Sequence, residues 1–368
     1  MKLLKICTLL ISGLVFWACS SDEEPQVNTD NFDRGAMLAN WADNIIIPGY
    51  TSYTASLSTL DEASAVFAET PTIENLEGLR SAWLDAYTLW QKVSMFEIGK
   101  AEAIALRDFT NIYPTNVETI ESNISTGDYN LELPSSRVAQ GFPAIDYLIN
   151  GLAFDDALIT DKFNQDSKYG TYLKALTSRL NTLAQTVLQD WETGYREAFI
   201  SNDGSSATSS VNKLVNDYMF YYEKFLRAGK IGIPAGVFSN TPLSDNVEAF
   251  YKNDVSKILF STALDAAQEF FNGDFYNGSG SGMSLDDYLE FIHSNGSSED
   301  LSTLINNQFE ISRSRSQMLN DSFFLQIEND NALMLNTYDA LQANVVLLKV
   351  DMFQALNIKI DFVDADGD

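Results

Sequence analysis

The strongest chemical candidate in the chain is Asp146, in the segment RVAQGFPAIDYLING at 137–151, where one carboxylate interrupts an otherwise apolar run. Burying a lone carboxylate costs several kcal/mol or forces it to protonate, so Asp146 is expected to have hydrogen-bond partners, a counter-charge or water. A second group, Glu97, Arg107 and Asp108, brackets the segment GKAEAIALRDFTNIYP at 99–114. Two carboxylates with a guanidinium can hold a cation or orient a polar ligand beside Asp146. The same set can equally be a buried ion pair that fixes a loop.

Arg227 and Lys230 stand in RAGKIGIPAGVFS at 227–239, with Gly229, Gly232, Pro234 and Gly236. Glycines there let the backbone approach a ligand or pack tightly on another helix. No Gly-Lys-Ser/Thr completes a phosphate-binding loop. Both cations are expected to face the same cleft as Asp146, and Arg313, with Glu310 on the helix that carries SRSRS at 312–316, to add the later part of the chain to it.

Several chemistries are excluded by residue type. The two cysteines are Cys7 and Cys19, both near the N-terminus, and the single histidine is His293, in the Gly/Ser/Asn-flanked stretch HSNGSS. One histidine cannot supply a two-histidine zinc site, and it reads as an exposed loop residue rather than the base of a triad. The net charge of −28 repels nucleic acid and anionic lipid surfaces, and suits cationic ligands and metal ions. The five Trp, 16 Tyr and 23 Phe lie mostly on helix stripes and read as core.

The N-terminus carries Lys2 and Lys5, an apolar run from Ile6 to Trp17, then Ala18 and Cys19. This is the pattern of a lipoprotein export signal over 1–18, with cleavage before Cys19 and lipid on its sulfur. Cleavage would remove both cysteines from thiol chemistry and two lysines from the charge balance. An acidic, polar tether follows over 19–30 and resembles the signal that places lipoproteins on the cell surface of Bacteroides-type bacteria. The expected location is therefore the outer membrane, cell-surface exposed or otherwise facing the periplasm. The membrane is reached through Cys19, and an outer-membrane transporter or envelope protein is the partner class.

The elements that must position these residues are helical almost throughout. Apolar three- and four-residue steps predict helices over 32–67, kinked or broken near Pro48 and Gly49, and over 73–98 through Leu76, Leu79, Trp83, Tyr87, Trp90, Val93 and Phe96. A short helix follows at 116–124, then a long connection at 151–170, and a second long stripe from Tyr172 to Phe199. The Gly/Ser run at 201–210 reads as a hinge, and helices are expected at 211–226, 246–271, 285–292, 301–328 and 331–356, with 227–239 an irregular loop. No sustained period-2 run occurs, so the fold class is all-α: two helical-bundle halves, 31–203 and 204–368, packed around a central cleft. The ending DADGD at 364–368 imitates the start of a calcium loop without its later ligand positions and reads as an acidic solvated tail.

The chain resembles the imelysin family over nearly all of 31–368. The resemblance rests on AWLDAYTLWQKVSMFEIG at 82–99, TNIYPTN at 110–116, the 137–151 segment, RAGKIGIPAGVFS at 227–239 and the ending from Leu347 onward. It implies two bundle halves related by duplication, with a signature segment at the cleft between them. Members with the full signature read Gly-x-His-x-x-Glu there, and the histidine and glutamate have been proposed as metal ligands or peptidase residues. This chain reads Gly141, Pro143 and Asp146 at those positions, so proline replaces the histidine and aspartate shortens the glutamate. The expectation that follows is a non-catalytic binding protein linked to iron or other nutrient uptake, with a metal ion, iron or another divalent cation, as the cofactor it would hold. A metallopeptidase of the imelysin type is the first alternative, although zinc hydrolases typically use about three protein ligands plus water. A glycan-binding uptake lipoprotein is the second.

Overall fold

The computed structural model describes residues 31–296 and 300–362. The export signal, Cys19, the acidic tether to residue 30 and the DADGD ending lie outside the described residues. The described chain is all-α, and its one extended pairing is an isolated antiparallel bridge between Asp274 and Ser281. No helix among the described residues is long and apolar enough to cross a membrane.

The first rod is α1 (Arg34–Asn40), a π-helical turn at Trp41–Ile46 and α2 (Ile47–Glu69) in unbroken succession. Pro48, expected to kink or break this element, follows directly on the π-helical turn, and the carbonyl of Asn44, four residues before it, accepts from Tyr276 N at 2.8 Å in place of the missing proline N–H. α3 (Ile73–Val93) is capped by Thr72, whose hydroxyl accepts from Asn75 N, and it buries the predicted stripe of Leu76, Leu79, Trp83, Tyr87 and Trp90. It stops at Val93 rather than at residue 98. α4 (Lys100–Ala103), α5 (Leu106–Thr110) and α6 (Val117–Thr126) are short, and α7 (Gly141–Asp146) continues into a π-helical turn, Tyr147–Gly151.

The expected connection at 151–170 is mostly helix. α8 (Asp156–Gln165) starts where the Asp155 side chain accepts from Leu158 N, and buries Ile159 and Phe163. α9 (Ser167–Asp190) packs on α2, with the Ser64 and Thr177 hydroxyls 2.8 Å apart, and runs on through a π-helical turn into α10 (Arg196–Ser201).

α11 (Ser210–Phe220) continues as a π-helix, Tyr221–Gly232, so the first half of the expected 227–239 loop is helical. The glycines that suggested a break serve close packing: a Cβ on Gly232 would sit 2.7 Å from the Tyr338 ring. α12 (Ser256–Asn272) packs across α3 and begins ten residues later than expected. The chain before it turns irregularly, with Ala249 and Asn253 in the left-handed region at φ 56° and 70°. α13 (Leu285–Ser294) carries His293 in its last turn, exposed but not in a loop. α14 (Leu301–Gln317) and α15 (Phe323–Val345) divide the expected 301–328 helix at 318–322, and Asp330 (φ −155°) kinks α15 near the second expected break. A π-helical turn leads to α16 (Phe353–Ala355), after which the side chains of Asn212 and Asn216 hold the backbone of Lys359 and Asp361.

One continuous hydrophobic core runs through these helices and includes Trp41, Trp83, Trp90 and Trp191, all essentially inaccessible. Truncating one such ring to alanine costs about 3–5 kcal/mol.

Candidate functional site

The signature segment is held from both ends. Gly141 has φ +76°, and a Cβ there would lie 2.1 Å from the carbonyl oxygen of Thr110, so only glycine lets α7 start against the end of α5. The Phe142 ring stacks on Tyr87 at 4.4 Å, and its carbonyl accepts from Trp83 Nε1 at 3.3 Å. Pro143 sits in the first turn of α7, where no intrahelical N–H is needed. At the other end a Cβ on Gly151 would be 2.1 Å from the Tyr251 ring, so the small residue admits the irregular 249–255 segment onto the helix.

Asp146, the last residue of α7, is fully buried and is tied to that segment. Its Oδ2 accepts from Tyr251 N at 2.9 Å, and its Oδ1 accepts from Lys252 N at 3.0 Å and Asn150 Nδ2 at 2.9 Å. Burial pushes the Asp146 carboxyl up to about 7, against the opposing pull of those three hydrogen bonds. The ammonium of Lys252 is directed to Asp254 at 2.5 Å. Beside Asp146 lies a cavity of about 170 Å³ walled by Tyr113, Pro143, Val247, Phe250 and Tyr251, with Asp245 exposed on its rim.

Glu97 and Arg107 meet, but in a separate cluster. The buried guanidinium of Arg107 donates to Ser94 O at 2.9 Å, pairs with Glu97 Oε2 at 3.1 Å, and donates to Asp217 Oδ1 at 3.0 Å. Glu97 N donates to Asp217 Oδ2, and Glu97 Oε1 accepts from Arg107 N, which locks the turn after α3 to the turn before α5. Burial raises Glu97 to about 7, with Arg107 acting the other way, and raises Asp217 as well. Asp108 faces outward and pairs with Arg137 at 2.8 Å, both half-exposed.

Lys230 belongs to a third group. Its ammonium donates to Gln91 Oε1 at 2.8 Å and forms a short ion pair with Glu248, which also accepts from Gln91 Nε2 at 3.1 Å and Asn111 Nδ2 at 2.7 Å. Burial lowers the Lys230 pKa, and Glu248 opposes that. Tyr113 stands between the groups: it lines the Asp146 cavity on one side and, on the other, a space wide enough for about one water beside Arg107, Asn111 and Lys230.

Arg227 and Arg313 point elsewhere. Arg227 donates to Tyr338 at 3.0 Å and to Gln342, and lies 3.6 Å from Glu223. Arg313, partly exposed on α14, bonds Asp265 at 2.8 Å and Glu310. Sequence reasoning missed Gln91, Asn111, Asp217, Glu248 and Tyr251. The visible signal for Gln91, Asn111 and Asp217 was a polar residue beside an aromatic stripe, whereas Tyr251 contributes a backbone N–H that no residue type announces.

The donor set near Asp146 does not fit a resident metal ion. Pro143 offers no ligand atom, and both Asp146 oxygens already accept N–H bonds from the chain. Among the described residues no group of three or more His, Cys, Asp or Glu could hold a metal ion. The cavity beside it is walled mainly by apolar and aromatic side chains.

The comparisons with known proteins agree with the helical architecture. A family model described as Imelysin matches residues 46–348. The chain is 24% identical over 155 residues to the protein named Iron-regulated protein A of Synechococcus elongatus, a match spanning 42% of this chain and 40% of that relative. Two crystal structures share the fold at 16% identity. An imelysin-like protein from Psychrobacter arcticum 273-4 has a TM-score of 0.71 over 91% of this chain and 99% of that one. A putative iron-regulated protein A precursor from Parabacteroides distasonis has a TM-score of 0.70 over 89% of this chain and 97% of that one. The chain belongs to the imelysin family.

Proposed function

We propose that this protein is an envelope lipoprotein, anchored through Cys19 to the outer membrane, that binds a small ligand in the Asp146 cavity without cleaving it and serves iron or other nutrient uptake. The observation that carries the reading is the state of Asp146: it lies beside a cavity but is fully buried, and both its oxygens are engaged by the chain's own N–H groups. A general base or metal ligand needs a lone pair aimed at the reacting water or ion, and both Asp146 oxygens are turned to the chain's own N–H groups instead. Pro143 in place of the family histidine supports the same choice. The relatives' names speak of iron regulation in those proteins, and that association enters here as the physiological setting.

The test combines metal analysis of purified protein, a peptide-cleavage assay and melting curves across a panel of nutrient ligands. Binding without cleavage is expected, with the thermal shift lost in Asp146→Ala protein that circular dichroism shows to be folded. Stoichiometric zinc together with chelator-sensitive cleavage, abolished by the same substitution, would overturn the reading in favour of a metallopeptidase.

A further inference from the structure

A second cavity, of about 270 Å³, opens beside the Arg107 cluster and is lined from α4, α11 and the chain that follows α16. Its wall is built by the fold. The side chains of Asn212 and Asn216, one turn apart on α11, bond the backbone of Lys359 and Asp361 and so fix Asp361 and Phe362 at the cavity. The Phe362 ring packs on Phe220 at 5.6 Å, and the Lys349 ammonium over Phe362 is held by Glu223. Four carboxylates, Glu97, Glu102, Asp217 and Asp361, line this space against two cations, Arg107 and Lys213, which leaves 4 − 2 = 2 without a counter-charge. Arg107 is spent on Glu97 and Asp217. Glu102 and Asp361 are exposed, and neither side chain has a hydrogen-bond or ion-pair partner among the described residues. Burial raises Asp361 and Asp217, and the charge of Glu102 pushes both further in the same direction.

We propose that this cavity takes an aliphatic diamine, with its ammonium groups on the Glu102 and Asp361 carboxylates and its carbon chain against Phe220 and Phe362. The site is separate from the Asp146 cavity, and the proposal does not depend on the reading given for that cavity. Glu102 and Asp361 differ from Asp146 in what they present: each is exposed, and no donor of the chain occupies its oxygens. Each competing class meets a physical obstacle. A metal ion needs ligands that converge on one point, and among the described residues no three acidic groups do so. A chain charged at both ends reaches carboxylates that stand apart. An anion would meet the surplus of negative charge. A sugar needs free converging donors and acceptors, and the Asn216 amide is already spent on Lys359 O at 2.8 Å and Asp361 N at 3.0 Å. Methylene groups gain by leaving water for the two rings, and an ammonium gains from a π-face within about 6 Å.

The experiment is calorimetric titration of the full chain with 1,4-diaminobutane, n-butylamine and 1,4-butanediol. The diamine is expected to bind most tightly, about tenfold better than the diol, with the monoamine between them. Glu102→Gln and Asp361→Asn, both at exposed side chains that leave the core intact, should each bring the diamine down to the level of the monoamine. Lys213→Gln should tighten diamine binding, because its ammonium no longer offsets Asp361. Glu77→Gln, an exposed carboxylate of α3 outside the cavity, should change nothing. Equal binding of diamine and diol, or no binding of either, overturns the cation assignment. Equal binding of diamine and monoamine overturns the pairing of two carboxylates with one ligand. A loss in Glu77→Gln as large as that in Glu102→Gln reduces the effect to diffuse attraction by an acidic protein and overturns the site. Diamine binding that is lost in Phe250→Ala and indifferent to Glu102→Gln and Asp361→Asn moves the ligand to the Asp146 cavity and overturns the location, leaving the function proposed for that cavity untouched.

Discussion

Asp146 and the Glu97–Asp217 pair are both carboxylates buried in one helical protein, and they are kept there by opposite means. Glu97 and Asp217 share the guanidinium of Arg107, which lies over the Tyr221 and Phe225 rings, so one of their two charges is cancelled internally. Asp146 has no paired cation and relies on two backbone N–H groups and one amide. The first arrangement fixes the loop between α3 and α5 and lines a cavity of about 270 Å³ with Glu102, Lys213 and Asp361. The second fixes the 249–255 segment through main-chain donors, with the charge of Lys252 also favouring the ionised carboxylate.

Removing Arg107 breaks the internally cancelled site most severely. Arg107→Met leaves two buried carboxyl groups without their cation, and a loss of about 3–5 kcal/mol is expected. Urea titration checks it, and a cost smaller than that of any Asp146 variant would reverse the comparison. Asp146→Ala comes next. It leaves the N–H groups of Tyr251 and Lys252 without acceptors, at about 1–3 kcal/mol each or about 2–6 kcal/mol together, and relief of the carboxyl's own burial brings the expected loss to about 2–4 kcal/mol. Hydrogen exchange should localise the damage to 249–255. Unchanged protection there would mean that Asp146 does not hold the segment.

That segment also marks where sequence reading stopped. The stripes of α3 and α9 were legible because three- and four-residue apolar steps have one physical meaning when they persist for six turns. Val247, Tyr251, Val255 and Leu259 keep the same spacing, so 246–255 read as helix. Its backbone turns left-handed at Ala249 and Asn253 instead, and only the Asn253–Asp254 pair hinted at a turn. Arg227–Gly232 failed in the opposite sense: the segment read as an irregular loop, whereas the helix continues and its glycines serve the close packing also read for them, Gly232 giving clearance for Tyr338. Asp146, Glu97 and Arg107 stood out by residue type. Which of them meet depends on long-range packing, which local pattern does not encode, and Asp146's partners are mostly main-chain atoms.

The comparison sharpens with pH. Burial raises the folded carboxyl of Asp146 from 3.8 to about 7. A raised folded value means that the stabilising contribution is complete below about pH 4 and is lost as pH climbs through 7, with a slope of at most about 1.4 kcal/mol per pH unit. Glu97 titrates in the same window, so the measurement is a difference: urea stability from pH 4 to 8 for the wild type minus that of Asp146→Asn. A difference that is flat across the range would show that Asp146 does not titrate there.

The smallest expected effect separates buried from exposed charge. Arg313 is bonded to both Asp265 and Glu310, as many acidic partners as Arg107 has, but on a partly exposed helix face where water competes for every ion. Exposed pairs of this kind contribute about 0–1 kcal/mol, so Arg313→Ala should cost less than 1 kcal/mol. Raising the salt concentration should shrink even that difference, because screening acts on exposed charge first. Denaturation at low and high salt reads both quantities. A loss comparable to that of Arg107→Met would mean that the number of ionic partners, rather than their burial, governs these sites, and the distinction between the ion-paired Arg107 cluster and the hydrogen-bonded Asp146 would lose its physical basis.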